Sequence, residues 1–488
     1  MNDITSRKPD EIMTADIAII GGGASGLCAA IEARGRGADV VIIEKRPTIG
    51  GNISMTEGMF GNGSALQKEA GIEPVPAADI VEEELIYTNY RCSAALWLDY
   101  VNKSAENIKW MMDHGVKYSG VSNYRGVSAF PCFHWWEDRI GGNASKALSA
   151  AAEASGARIR KSTRALQLIK EDGKVTGLFA EDLKTGEIIR VNAKAVIICT
   201  GGSSANAALF QKLTGYDASL AKGKMSDNTG DGIEMALSAG AAQTSTAFLG
   251  KMTPLGYPPV TQLALGTCFQ PLLLVNEEGV RFVAEDLQMK KLTALSNNAM
   301  MAQKATYVIL DSGNVDMLVR NGIINGFLSF YKGDPVPKLR EELDAAADKN
   351  DGAVFRADSI RELACAAGLP ADRLCATVER YNALCAAGKD EDYKKDADHL
   401  FPVEKAPFYA IRQGMEILTT IGAIDVDLDN RVLDAGGDPI KGLYATGVDA
   451  CKLYKETYNY QMSGGMIGYC VYSGRHAAAR IVEDLGKK

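Results

Sequence analysis

Asp16-Ile-Ala-Ile-Ile20, Gly21-Gly22-Gly23-Ala24-Ser25-Gly26, Leu27-Cys-Ala-Ala-Ile-Glu-Ala-Arg-Gly35 and Ala38-Asp-Val-Val-Ile-Ile-Glu44 stand almost end to end near the start of the chain. The first run is short, apolar and rich in isoleucine, the signature of a strand buried on both faces. The segment after Gly26 carries helix formers, with Leu27, Ala30 and Ile31 on one face. Gly21 permits a tight turn, Gly23 lets backbone approach a pyrophosphate, and Gly26 lets helix and strand pack closely. Ala24 and Ser25 open the helix, whose free amides and positive dipole end suit phosphate oxygens. Glu44 closes the second strand eighteen residues beyond Gly26, followed by Lys45, where a carboxylate can accept from a ribose hydroxyl. A glycine fingerprint alone is a weak signal. Flanked by strand, helix, strand and terminal acid, it predicts a dinucleotide site in an α/β, doubly wound (Rossmann-like) domain.

Three further segments separate FAD from NAD. Gly50-Gly51-Asn52 follows Glu44 closely, and glycine recurs at Gly58, Gly61 and Gly63. Ala195-Val-Ile-Ile-Cys-Thr200-Gly201-Gly202 reads as a buried strand opening onto a glycine turn, and Gly442-Leu-Tyr-Ala-Thr-Gly447-Val-Asp449 as another with an acid at its end. Ligands of doubly wound sheets sit at that carboxyl edge, so separated strands converge on one extended ligand, which predicts FAD.

Composition narrows the rest. Of 488 residues 46% are hydrophobic and 23% charged, a balance that excludes disordered, collagenous and coiled-coil chains. Two domains are expected at this length. Acids outnumber bases by 61 to 53 with no basic block, against a nucleic-acid partner. The start lacks a signal-peptide pattern, and the long charge-free run between Lys251 and Glu277 is broken by prolines, so no membrane insertion is expected. The ten cysteines never come closer than ten residues apart and the four histidines are scattered. Reduced thiols of a cytoplasmic protein, with no metal site, follow.

Taken with Arg139-Ile-Gly-Gly, Gly230-Asp231-Gly232, Asn276-Glu-Glu-Gly-Val-Arg281-Phe282, Pro407-Phe-Tyr-Ala and Gly464-Gly465-Met-Ile, these motifs resemble the fumarate reductase/succinate dehydrogenase flavoprotein family. The resemblance is to its soluble branch, which also holds urocanate reductases and ketosteroid dehydrogenases. It implies flavin contacts at Ser25, Glu44, Asn52, Gly58, Ala165, Asp231, Asp449, Met466 and Ile467, beside the glycines already named, Lys45, Thr200, Gly201 and Gly465. It also implies an FAD-binding domain built from residues 1–245 and 410–488, and an inserted α+β capping domain at 246–409. Within that insert, the stretch from Lys338 through Ala387 reads as helical. Substrate is expected between the cap and the isoalloxazine ring.

The dicarboxylate set of that family is missing. Its arginines, acid and histidine correspond here to Leu265, Cys268, Met289, Thr419 and Gln461. Neither glutamine nor methionine holds a carboxylate as a charged, bidentate guanidinium does. A fumarate or succinate enzyme is therefore not expected. Tyr454, Tyr458, Tyr460 and Gln461 occupy the loop before Gly464-Gly465, Tyr257 stands near the expected cap entrance, and Phe133-His134-Trp135-Trp136 adds further aromatics. Tyrosine can polarise a carbonyl or transfer a proton, and aromatic walls suit a planar or hydrophobic substrate. Tyr458 or Tyr460 is assigned that role with Gln461 beside them, and Lys290 is a secondary proton donor. A tyrosine beside a glycine turn is also commonly a packed residue, and His134 a surface or interdomain one.

An oxidoreductase is thus expected that reduces, or in reverse desaturates, a carbonyl-activated C=C bond in a non-dicarboxylate small molecule. With no second nucleotide fingerprint, its electrons must come from a separate donor, NAD(P)H or a redox protein. Two alternatives are an amine or amino-acid oxidase and a non-catalytic flavin sensor.

Overall fold

The computed structural model describes residues 8–126, 128–217, 221–224, 227–290, 298–326, 330–459 and 461–487. Two compact units divide the chain. Met1–Gly215, Ser226–Leu249 and Thr419–Lys488 make the first, and Tyr216–Met225 with Gly250–Leu418 the second.

In the first unit, strand β1 (Glu11–Ile20) lies inside an eight-stranded sheet. It pairs in parallel with β2 (Val40–Ile43) on one side and with Ile188–Ile198 on the other. Pro439–Ala445 adds in parallel beyond Ile188–Ile198, and Arg158–Arg160 beyond β2. Successive side chains of β1 point to opposite faces, and both faces are apolar. Ile17 and Ile19 pack with Leu27, Val40, Ile42 and Ile197, and also with Ile467 and Val471 of the helix Gly465–Asp484. Ala18 and Ile20 pack with Val41, Ile43, Val196 and Ile198, and with Ile233 of the helix Asp231–Ser238. Helices on both faces of a parallel sheet make this the doubly wound α/β fold.

A small antiparallel sheet also belongs to this unit: β3 (Gly58–Phe60), Phe133–Trp136 and Tyr118–Ser122. His134 is not a surface histidine. Its ring is fully buried, with Nε2 2.6 Å from the Ser64 hydroxyl and Nδ1 3.1 Å from the Cys132 carbonyl oxygen. Burial pushes its pKa down to about 4, although the Cys132 contact pulls upward.

In the second unit the long strand Phe408–Ile424 pairs antiparallel with Thr306–Asp311 and Val354–Ala357, and parallel with Ala221–Lys224. The stretch expected to be helical from Lys338 is three helices, Leu339–Lys349, Ile360–Ala367 and Ala371–Ala387, with the strand Val354–Ala357 between the first two. The break falls where Asn350 takes a left-handed conformation (φ 51°) ahead of Gly352. Arg281, of the Asn-Glu-Glu-Gly motif, is a buried structural cation here. It makes paired hydrogen bonds to Glu285 (2.7 and 2.8 Å) and to Asp390 (2.9 and 2.7 Å), between the rings of Tyr381 and Tyr393. Lys395 joins through Glu285 at 3.1 Å and the Tyr381 hydroxyl at 2.8 Å.

Two predictions follow from these interiors. Arg281→Met strands the buried Asp390 carboxylate and leaves Glu285 with Lys395 alone, and should cost about 3–5 kcal/mol, read as a lower urea midpoint for the second unit. For His134, the unfolded ring returns to a pKa of about 6.5, so its contribution is complete above that pH. It should be lost as pH falls toward 4, at about 1.4 kcal/mol per pH unit. His134→Gln should flatten that slope in urea titrations run across this range, and an unchanged slope would show that His134 is not its source.

Candidate active site

At the end of β1 the chain turns through Gly21 (φ +108°) into helix α1 (Ala24–Gly35). A Cβ on Gly21 would lie 2.4 Å from the Cys199 carbonyl oxygen, and one on Gly26 2.0 Å from the oxygen of Gly21. Turn, helix and neighbouring strand therefore meet backbone to backbone. Gly23 caps α1 without a side-chain hydrogen bond, which leaves the first-turn amides of Ala24, Ser25 and Gly26 outside the helical ladder. Gly51 packs on Gly23 so closely that a Cβ there would come 2.9 Å from the Gly23 Cα. Asn52 follows, half buried, in the short 3-10 helix Gly51–Met55. Bare backbone, free amides and a helix dipole fit the pyrophosphate of a dinucleotide.

Glu44, just past β2, is aimed by its neighbours. One carboxylate oxygen accepts from Gly22 N–H (2.7 Å) and the other from Arg46 N–H (2.7 Å). Beside it lies an ionic cluster only partly foreseen. Lys45 Nζ is 2.8 Å from the Thr229 hydroxyl and 3.1 Å from Asp231, whose other oxygen accepts from Arg164 at 2.7 Å. Burial pushes the Asp231 pKa upward, but Arg164 and Lys45 outweigh it and the carboxyl stays below its ordinary range. Asp231 is thus held ionised by the two cations. Ala165, on the strand Thr163–Glu171, is buried next to Arg164.

Asp449 is fully buried and its carboxylate is committed to main chain. It accepts from the Thr200 amide and hydroxyl, from Gly201 N–H at 3.2 Å and from Gly202 N–H at 2.7 Å. The acid therefore knits the glycine turn after Ile188–Ile198 to the segment after Pro439–Ala445. Ser25 completes the seam, donating to the Thr446 hydroxyl at 2.8 Å. Gly464 takes a left-handed conformation (φ 76°) and starts Gly465–Asp484 with no side-chain cap, so the first-turn amides around Met466 and Ile467 form a second positive helix end. The Gly464 carbonyl also accepts from Phe60 N–H at 3.1 Å, which ties that helix start to β3 beside Gly58.

The loop ahead of Gly464 is clamped by aromatics. Trp97 and Tyr100 project from the helix Ala94–Asp113, where Ser93 caps the start and apolar residues recur every three or four positions. The Trp97 indole donates to the Leu453 carbonyl at 3.0 Å and the Tyr100 hydroxyl to that of Gly465 at 3.0 Å. Tyr454 meets Trp97 edge-on at 5.6 Å and Tyr458 at 4.7 Å. Its hydroxyl stands 2.5 Å from where a Gly465 Cβ would be. Gln461 is buried, and its side-chain nitrogen has no hydrogen-bond partner. Tyr458 and Gln461 are both buried in this loop, while Tyr460 lies outside the described residues.

Lys290 belongs to the second unit, with Nζ 2.8 Å from Asp286 and 3.0 Å from Asp396. Desolvation lowers its pKa, but the two carboxylates outweigh that and raise it, which suits a fixed cation and not a proton donor. Asp286, Asp396 and His399 converge there, yet the Lys290 ammonium already supplies the positive charge. Tyr257, in the same unit, has its hydroxyl 3.3 Å from the Asp351 carboxylate. Of the positions that would carry dicarboxylate ligands, Leu265 and Cys268 are buried.

Residues 16–464 match the family described as an FAD binding domain. The vinyl phenol reductase of Lactiplantibacillus plantarum is 35% identical over 95% of this chain and 95% of its own length. The NADH:acrylate oxidoreductase of Vibrio harveyi is 27% identical over 89% of this chain, which spans 47% of that longer protein. The crystal structure of a 3-ketosteroid dehydrogenase from Rhodococcus jostii superposes with a TM-score of 0.71 at 23% identity, covering 98% of each chain. No helix among the described residues is long and apolar enough to cross a membrane. The glycine cradle, the two uncapped helix ends and the family match agree, and the chain belongs to the fumarate reductase/succinate dehydrogenase group of FAD-binding flavoproteins as an FAD-dependent oxidoreductase of carbon–carbon bonds.

Proposed function

We propose that this protein reduces the side-chain double bond of a hydroxyaryl alkene of the vinylphenol type. The observation that carries this reading is the end-to-end similarity to a vinyl phenol reductase, 35% identical with 95% of both chains matched. Two features of the chain support it. Gln461 stands where a dicarboxylate enzyme would place an arginine, and the loop around it is walled by Trp97, Tyr454 and Tyr458. A flat, uncharged ring gains from such walls, whereas a dianion would lack a guanidinium to offset its desolvation.

The Gly21–Gly26 turn, Glu44, Gly51, Asn52 and the helix start at Met466 and Ile467 would hold FAD, which when bound would supply hydride to the substrate. The protein must do the rest. A vinyl group conjugated to a para hydroxyl takes a proton at its terminal carbon as the hydroxyl proton leaves, giving a quinone methide. Hydride then adds at the benzylic carbon and the hydroxyl recovers its proton. The net change is one hydride and one proton added across the double bond. Tyr458 or Tyr460 handles a proton at the terminal carbon or the hydroxyl, and the Gln461 amide donates to the substrate oxygen as charge develops there. Electrons reach FAD from a separate donor, NAD(P)H docking transiently or a redox protein, since a single nucleotide fingerprint is spent on FAD.

In anaerobic stopped flow, 4-vinylphenol should reoxidise the dithionite-reduced flavin rapidly, and fumarate should not. Rapid reoxidation by fumarate, with none by 4-vinylphenol, would overturn the assignment. Tyr458→Phe should retain FAD and slow the 4-vinylphenol step by roughly 10²-fold. An unchanged rate would move the proton chemistry to Tyr460.

A further inference from the structure

The helix Ala77–Tyr87 buries two side chains, Ile80 and Glu84, one turn apart on the same face. Glu84 therefore occupies a core position, and it is fully buried. Neither of its carboxyl oxygens has a hydrogen-bond partner. Its backbone carbonyl is engaged instead, accepting from the Thr88 hydroxyl at 2.8 Å. Three more buried groups nearby are equally unpartnered: the Asn459 and Gln461 side-chain nitrogens and the Tyr454 hydroxyl. The Asn459 amide approaches Glu84 closely enough to favour its charged form, without the alignment of a hydrogen bond. Its oxygen is taken, accepting from Gln461 N–H at 2.8 Å, which fixes the amide's orientation.

A buried acid beside unused donors, the Asn459 amide and the Tyr454 hydroxyl, is an unusual composition for a core. Buried polar groups are as a rule satisfied, and leaving four unsatisfied is costly unless something else fills the gap. Water meets the requirement, because one molecule serves two to four such groups. The donors also suit both protonation states. While the acid holds its proton, water bridges it to the amides and the phenol. Once the proton leaves, the Asn459 and Gln461 amides and the Tyr454 hydroxyl can all donate toward the carboxylate.

We propose that Glu84 is a buried proton source, linked by internal water to the Tyr454 hydroxyl and thence to the space before Gly465, that supplies the proton of alkene reduction. The proposal rests on the alkene-reductase reading above. Each turnover passes the proton of the Glu84 carboxyl through Tyr454 to the tyrosine that protonates the substrate carbon; reduced FAD, when bound, would supply the hydride, and solvent returns the proton to Glu84 afterwards. Glu84 acts through Tyr454 and does not touch substrate, so it is a positioning residue. The titratable groups around it are Glu83 and Tyr87 on its own helix, Cys92, Tyr100 of the helix Ala94–Asp113, and Cys451 and Tyr454. They are a carboxylate, thiols and phenols. Burial, with Glu83 adding repulsion, pushes the Glu84 carboxyl well above the ordinary range against the weaker pull of Asn459. Burial thus favours the protonated form of the acid.

The test uses the FAD-loaded protein and Glu84→Gln, which keeps the shape and removes the acid. Infrared spectra at pH 7 should show a protonated-carboxyl stretch that Glu84→Gln lacks, while both proteins keep the same flavin absorbance. Reoxidation of reduced flavin by 4-vinylphenol should slow by roughly 10²-fold in the variant. The decline of the wild-type rate with rising pH should flatten in the variant, and Glu84→Asp should restore part of both. Absence of the stretch in the wild type, or a variant that reoxidises at the wild-type rate with the same pH profile, would overturn the proposal. A wild-type flavin inert to every alkene, with the stretch present, would overturn the alkene-reductase reading and the relay with it. A missing stretch in a protein that does reduce 4-vinylphenol would overturn the relay alone.

Discussion

Backbone touching backbone at the carboxyl edge of the central sheet is the constraint on which the first unit depends. Gly26 of α1 rests on the carbonyl of Gly21, and Gly21 on the carbonyl of Cys199, each with no room for a Cβ. That approach lets α1 begin directly over the sheet, so its uncapped amides open where β1 ends. Any side chain at Gly26 would push the helix outward and draw the dipole away from the phosphates. Asp449 performs the equivalent task for the far strands, binding the Thr200-Gly-Gly turn through three backbone amides. One edge is secured by the absence of side chains and the other by a single buried carboxylate.

Electrostatics divides the chain along similar lines. In the second unit the largest buried ionic group among the described residues is paired throughout: Arg281 with Glu285 and Asp390, Lys395 with Glu285. Such networks favour one packing arrangement because breaking any member strands the others. Around the Gly464 turn the reverse holds, and Glu84, Asn459, Gln461 and Tyr454 lie buried with capacity unspent. Satisfied groups fix a scaffold, while unsatisfied ones are free to take a guest or pass a proton.

The fold was legible because its signals are local. The isoleucine runs, the glycine spacing and the acid after each strand are short-range patterns, and they identify the doubly wound sheet and FAD. The buried loop of Tyr454, Tyr458 and Gln461 was legible for the same reason, lying within a few residues of the Gly464 turn. What escaped depends on long-range packing. Arg164 and Thr229 share Asp231 and Lys45 across almost two hundred residues of chain, and neither carries a motif. Glu84 sits in a Glu82-Glu83-Glu84 run that reads as a solvated face; its four-residue spacing from Ile80 was the signal that one of the three turns inward. His134 looked like a surface residue because nothing local reveals that Ser64 and the Cys132 carbonyl enclose it. Lys290 looked available because one of its two carboxylate partners, Asp396, lies over a hundred residues further along the chain.

The order of strands also bears on how the protein is made. β1 and Ile188–Ile198 emerge early from the ribosome, but the next strand of that sheet, Pro439–Ala445, and the helix Gly465–Asp484 that covers one face come last. Until then the Val196–Ile198 end of that strand lacks its hydrogen-bonding partner, and Ile17, Ile19 and Ile197 lack Ile467 and Val471 as neighbours. A nascent chain must carry that exposed strand end and apolar face through the synthesis of more than two hundred intervening residues. Its first-made half is then a client for chaperones, and premature termination before Pro439 yields a sticky fragment and not a smaller flavoprotein.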